Sequence, residues 1–160
     1  MHTTTLGEKA VDQLNSLLRG ELAAIETYEQ ALRKLNGPGT ELADQLVHFA
    51  AEHSRNADAL KARVEALAGT SAPSSGAWGA WSKIVQGSAN VFGDGTAIKA
   101  LKEGEEHGLK DYQDALQDAE LDEVSRRLVE NDLIPRQRKH IAALDAFLIQ
   151  LRNVPARARL

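Results

Sequence analysis

Cysteine is absent from all 160 residues. That excludes disulfides, zinc–cysteine sites and thiol chemistry, and it suits a reducing cytoplasm. Aromatic residues are scarce, with two Trp, two Tyr and three Phe, and only four prolines interrupt the chain. There is no excess of basic charge: 19 Lys and Arg against 23 Asp and Glu give a net −4. A nucleic-acid binder would carry a clustered basic patch instead. No apolar run approaches the roughly 20 residues needed to cross a bilayer. The opening MHTTTLGEKAVDQL also lacks the basic start and apolar stretch of a secretory leader. Gly-rich phosphate loops, nucleophile elbows and Ser/His/Asp arrangements are missing as well. Together these absences predict a cytoplasmic protein with neither nucleic-acid nor membrane partners, and leave self-association into a homo-oligomer open.

What remains is a helical vocabulary of Leu, Ala, Glu, Lys, Arg and Gln. The length suits one domain over residues 1–154, followed by a frayed basic tail, PARARL, at 155–160. Thr5 and Glu8 have capping-box spacing, so a first helix should start near Leu6 and stop before Asn36-Gly37-Pro38-Gly39. Thr40 is a fair N-cap for a second helix reaching about Ala68. A third should run from about Thr96 to Asp118, and a fourth from about Leu121 to Arg152. The short links make helices 1–2 and 3–4 antiparallel hairpins.

The middle link differs. From Gly69 to Gly95 it carries a Ser/Pro/Gly stretch, then AWGAWSKIVQGSANVF, in which Trp78, Trp81, Val85, Ser88 and Phe92 fall at helical spacing. A long crossover containing a short helix would let helix 3 start at the same end of the bundle as helix 2. The Trp pair is expected to cover one side of the bundle rather than to form a ligand platform.

One phrase is written twice. Residues 20–32 read GELAAIETYEQAL and residues 104–116 read GEEHGLKDYQDAL, with Gly, Glu, Tyr, Ala and Leu recurring at a constant offset of 104 − 20 = 84. Leu17 matches Leu101 at that offset, and Ala59, Leu60, Ala62 and Leu67 match Ala143, Leu144, Ala146 and Leu151. This pattern predicts a diverged duplicated hairpin, with equivalent residues facing one another across a pseudo-two-fold axis.

Each helix also interrupts its own apolar stripe. Helix 1 runs Leu14, Leu18, Glu21, Ile25, Tyr28, Leu32, and helix 3 runs Ile98, Lys102, Glu105, Leu109, Tyr112, Leu116. Helix 2 places His53 and Asn56, and helix 4 places Gln137 and His140, where core residues belong. The offset pairs Glu21 with Glu105, His53 with Gln137, and Asn56 with His140. One polar layer crossing four helices is the economical inference. Buried carboxylates must then bind each other, water or a metal.

At these residues the chain resembles the ferritin-like superfamily. The superfamily's di-iron pattern is a Glu on each of two helices plus a Glu-x-x-His on each of the other two. Glu21 and Glu105 match the lone glutamates. His53-x-x-Asn56 and Gln137-x-x-His140 stand where Glu-x-x-His would be, so both bridging carboxylates are absent. The GEEHGLKDYQDAL phrase and the SSGAWGAW segment resemble an uncharacterised bacterial ferritin-like domain of unknown function. The resemblance implies an all-α ferritin-like four-helix bundle made of two duplicated hairpins.

Two readings of the layer follow. In one, Glu21, His53, Glu105 and His140 hold one divalent metal ion, Fe, Mn or Zn, supported by Asn56, Gln137, Tyr28 and Tyr112. In the other, the protein binds no cofactor, and the same groups form a structural layer that fixes helix register in a non-catalytic, self-associating or stress-related module. The missing carboxylates disfavour oxidase or ferroxidase activity under either reading. The i,i+4 pairs His48/Glu52 and His107/Asp111 lie off the stripes and are expected to be solvated salt bridges. Pro135, two residues before Gln137, should bend helix 4 at the layer.

Overall fold

The computed structural model describes residues 6–35, 40–76 and 94–154. Thr5 of the expected capping box, the crossover helix with Trp78 and Trp81, and the 155–160 tail lie outside the described residues. Four helical rods make up the rest: α1 (Leu6–Lys34), α2 (Glu41–Ala66), α3 (Asp94–Gln117), and a fourth rod in three pieces. Those pieces are α4 (Glu123–Leu128), a π-helical turn (Val129–Leu133) and α5 (Ile134–Asn153). Among the described residues there is no strand, and no helix is long and apolar enough to cross a membrane.

The helix ends follow local chemistry. Thr40 caps α2 as expected, its hydroxyl accepting from the Ala43 N–H at 3.1 Å. Asp122 caps α4, accepting from the Val124 and Ser125 N–H groups, and it also receives the Arg63 guanidinium at 2.9 Å. The end of α2 is closed by a tight turn. The left-handed residue is Ala68 (φ 57°), and the Gly69 N–H closes back on the Val64 carbonyl. Gly69 has a different reason to be glycine, since a Cβ there would lie 2.6 Å from Val11 Cγ1. Beyond the helix the chain turns along α1. Asn15 holds the Thr70 carbonyl and the Ala72 N–H, and Glu26 accepts from the Ser75 hydroxyl.

The π-turn sets the register of the fourth rod. Its buried residues Ser125, Val129, Leu133 and Gln137 advance in steps of four. In an α-helix each such step drifts about 40° around the axis, so the last would point well away from the first. One wide turn, closed by the Ile134 N–H on the Val129 carbonyl, takes up that drift. It also brings Pro135, which has no N–H to give, into the first turn of α5. Pro135 therefore stands at the start of α5, directly after the wide turn.

The core is divided in two. One apolar cluster gathers Leu14, Leu18, Leu60, Val64, Val129 and Leu133, and the other gathers Tyr28, Leu46, Phe49, Ile98, Leu101 and Leu144. Between them lies a layer of polar side chains.

Candidate metal centre

Glu21, His53, Glu105, Gln137 and His140 are all at most 3 % exposed and meet at one depth of the bundle. Each arrives there because it takes the inward position of its helix, in line with Leu14 and Leu18 on α1 or Leu46 and Leu60 on α2. Ionised groups so placed survive only by answering one another.

Glu105 is the hub. Its Oε1 faces His53 Nε2 at 3.0 Å and His140 Nδ1 at 3.2 Å, and it accepts the Tyr28 hydroxyl. The far nitrogen of each imidazole meets a different carboxylate. His53 Nδ1 lies 2.8 Å from Glu21 Oε2, and His140 Nε2 lies 2.8 Å from Glu52 Oε2. Glu21 in turn accepts the Tyr112 hydroxyl. Phe49 stacks on the His140 ring at 4.1 Å and fixes its plane.

Burial alone would lower the His53 pKa, but the charges of Glu105 and Glu21 raise it from 6.5 to about 10. For Glu105, burial pushes upward, while the His53 charge and the hydrogen bonds from both imidazoles bring it from 4.5 down to about 2. Burial and the adjacent glutamates push both tyrosines well above 10, so their hydroxyls stay protonated donors.

Among the described residues, His53, Glu105 and His140 each offer one ligand atom, all within 4.8 Å of one another. Ligands about 2.0–2.1 Å from a tetrahedral metal are about 3.3 Å apart. The 3.0 and 3.2 Å separations at Glu105 Oε1 are close to that edge. Glu21 stands behind His53 and is not one of the three. Two imidazole nitrogens and a carboxylate form a donor set that transition metals accept.

The supporting residues divide. Tyr28 and Tyr112 each donate across the bundle to the glutamate of the other hairpin. Gln137 donates to the Glu105 backbone carbonyl at 3.0 Å. Asn56, fully buried, accepts from Arg136 at 2.8 Å rather than from the layer's histidines. Glu52 is the residue that the stripe pattern misses. Expected in a solvated pair with His48, it does lie 3.6 Å from that imidazole, but its Oε2 also turns inward to His140. Its pKa falls below 4.5 as contacts with His140, His48 and Arg55 outweigh burial. The His107/Asp111 pair is seen at 3.7 Å, as expected.

The contacts repeat at the 84-residue offset. Tyr28–Glu105 maps onto Tyr112–Glu21, and Glu52–His140 maps onto Arg136–Asn56. A cavity of about 60 Å³ between α1 and α3 carries the same relation. Every lining residue from the first half, among them Leu17, Gly20, Glu21 and Tyr28, has its counterpart 84 positions on in the lining.

A family model described as "Domain of unknown function (DUF2383)" matches residues 9–118, more than half of the chain. No curated protein sequence matches it. Among solved structures it is similar to a bacterioferritin from Rhodobacter capsulatus, at 24 % identity and a TM-score of 0.72, covering 93 % of this chain and 89 % of that one. That structure is described as having a metal-free dinuclear site and a heme iron in a crystallographic special position. The fold is the ferritin-like four-helix bundle.

Proposed function

The chain belongs to the DUF2383 family, and we propose that it binds a single divalent metal ion through His53 Nε2, Glu105 and His140 Nδ1. The observation that carries this reading is the orientation of both imidazoles. Each turns one nitrogen to Glu105 and rests the other on a separate carboxylate, Glu21 or Glu52. A carboxylate behind a metal-ligating histidine fixes its ring and raises its basicity. Two such relays aimed at one oxygen support a cation site.

The dinuclear site named for the bacterioferritin does not carry over to this chain. His53 and Gln137 stand where the ferritin-like pattern has its two bridging carboxylates, and among the described residues Glu21 and Glu105 are the fully buried carboxylates of the layer. A bound Fe, Mn or Zn ion would supply a fixed Lewis-acidic charge in a site screened from water. The chain's own part is to hold it: Glu21 and Glu52 orient the rings, Tyr28 steadies Glu105, and Phe49 stacks on His140.

A second reading has its own support. Protonated His53 already bridges Glu21 and Glu105, so the layer balances its charges as a structural network and binds nothing. Metal analysis of protein purified without a His tag separates the two. The metal reading expects stoichiometric Fe, Mn or Zn in the wild type and its loss in His140→Ala. It also expects roughly 10–100-fold weaker binding in Glu52→Gln, a residue that meets His140 at the nitrogen turned away from Glu105. Metal-free protein that none of the three ions stabilises would leave the structural network standing.

The contacts recurring at the constant offset support an internal duplication of one hairpin. Under that reading Leu46 answers Val129 and Phe49 answers Leu133. The second copy then holds one extra residue between them, absorbed by the π-turn.

A further inference from the structure

The cavity between α1 and α3 has features that the metal site does not account for. Glu105 uses only Oε1 in its hydrogen bonds, and Oε2 is buried without a partner. Gln137 donates through Nε2, and its Oε1 is likewise buried without one. Both residues line the cavity and are 3 % exposed. Two buried acceptors on one small void call for donors. The wall also carries Leu17, Leu101 and Ala24, beside the polar Thr27, His107 and Asp111.

Glycines point to the same void. A Cβ at Gly20 or Gly104 would meet nothing within 4 Å, so neither is glycine for want of space. Each sits inside a helix, where glycine is less favourable than alanine, and each stands one residue before a layer glutamate. Both halves thus leave an empty place at the same point of the lining.

We propose that this cavity is a binding chamber for a small cationic hydrogen-bond donor, an ammonium ion or a short primary amine, held by Glu105 Oε2 and Gln137 Oε1. Its N–H groups satisfy the two acceptors, and an alkyl end of one or two carbons faces Leu17 and Leu101. The chamber uses the oxygen of Glu105 that the metal reading leaves free, so it does not depend on that reading.

The test uses chelator-treated full-length protein and methylammonium chloride, with tetramethylammonium chloride at equal ionic strength as the donor-free control. Saturable binding of methylammonium by calorimetry, with none of tetramethylammonium, is the expected result. In Gly20→Ala/Gly104→Ala the binding should be lost while the melting temperature rises, because the added methyl groups occupy the void and favour the helix. In Gln137→Met, close in size but without the acceptor oxygen, it should weaken. No saturable binding to the wild type, or equal binding by the alanine pair, overturns the proposal. Metal content of the alanine pair is measured in parallel. Wild-type metal with no amine binding defeats the chamber alone, and amine binding without metal defeats only the metal site.

Discussion

Replacing Glu105 by glutamine keeps the shape of the hub and removes its charge, leaving protonated His53 with one anionic neighbour in place of two. Breaking a buried, hydrogen-bonded ion pair from one side costs about 3–5 kcal/mol, so Glu105→Gln should lose that much in denaturant unfolding. A loss below about 1 kcal/mol would show that the layer's members do not depend on one another. The same pair gives the metal-free protein a pH signature. Glu105 is lowered from 4.5 to about 2, so its contribution is complete above 4.5 and disappears as the pH falls toward 2. His53 is raised from 6.5 to about 10, so its contribution is complete below 6.5 and disappears as the pH rises toward 10. Stability from this pair should therefore peak between 4.5 and 6.5, and Glu105→Gln should flatten both flanks of a thermal-melting series against pH. These inward groups were legible in the sequence because Glu21, His53, Glu105 and His140 break apolar stripes of fixed period. Glu52 was not. It immediately precedes His53, off the stripe, and only its long side chain, turned around the helix, brings the carboxylate to His140. Periodicity reports where a Cβ points and says nothing about how far a flexible stem can reach back.

The ends of the elements carry their own expectations. Ala68 holds a left-handed conformation that costs a residue with a Cβ about 1 kcal/mol or more. Ala68→Gly should therefore stabilise the protein by about 0.5–1 kcal/mol. Gly69→Ala should do the reverse, because its Cβ would press on Val11. Chemical denaturation of the two single variants should give shifts of opposite sign; shifts of like sign would overturn this account of the turn. From sequence alone the glycine looked like the helix stop, since Gly is the usual left-handed residue, yet here the neighbouring alanine takes that conformation and the glycine answers a packing need. The π-turn was hidden for a related reason. Pro135 marked an irregularity in the fourth helix, but a proline reads as a kink unless the wide turn before it is visible. Asp122 was passed over in favour of Leu121 as the start of that helix, although its side chain takes both the first N–H groups and Arg63.

At the scale of the bundle, the polar layer parts the core into two apolar halves, and the halves should respond independently. Leu18 lies in one and Leu144 in the other, both fully buried. Each truncation to alanine should cost about 2–5 kcal/mol. In the double variant the two losses should add to within about 0.5 kcal/mol, as for sites with no shared partners. A larger coupling, measured by a double-mutant cycle, would mean that the layer transmits packing between the halves. The bundle itself was readable from helix lengths and link lengths. The contacts that recur at the 84-residue offset were foreshadowed by residues as distinctive as Gly-Glu and Tyr. The chamber between α1 and α3 was not, because an empty volume leaves no mark in a string of letters except two glycines that look like ordinary helix weaknesses.

That chamber has matching side walls and unlike ends. Gly20 mirrors Gly104 and Tyr28 mirrors Tyr112, but an imidazole stands at one end and an amide at the other. An occupant with two different ends would settle one way round, because only the Gln137 end offers a spare carbonyl oxygen. Exchanging the two residues, as in His53→Gln/Gln137→His, should turn the preferred occupant end for end.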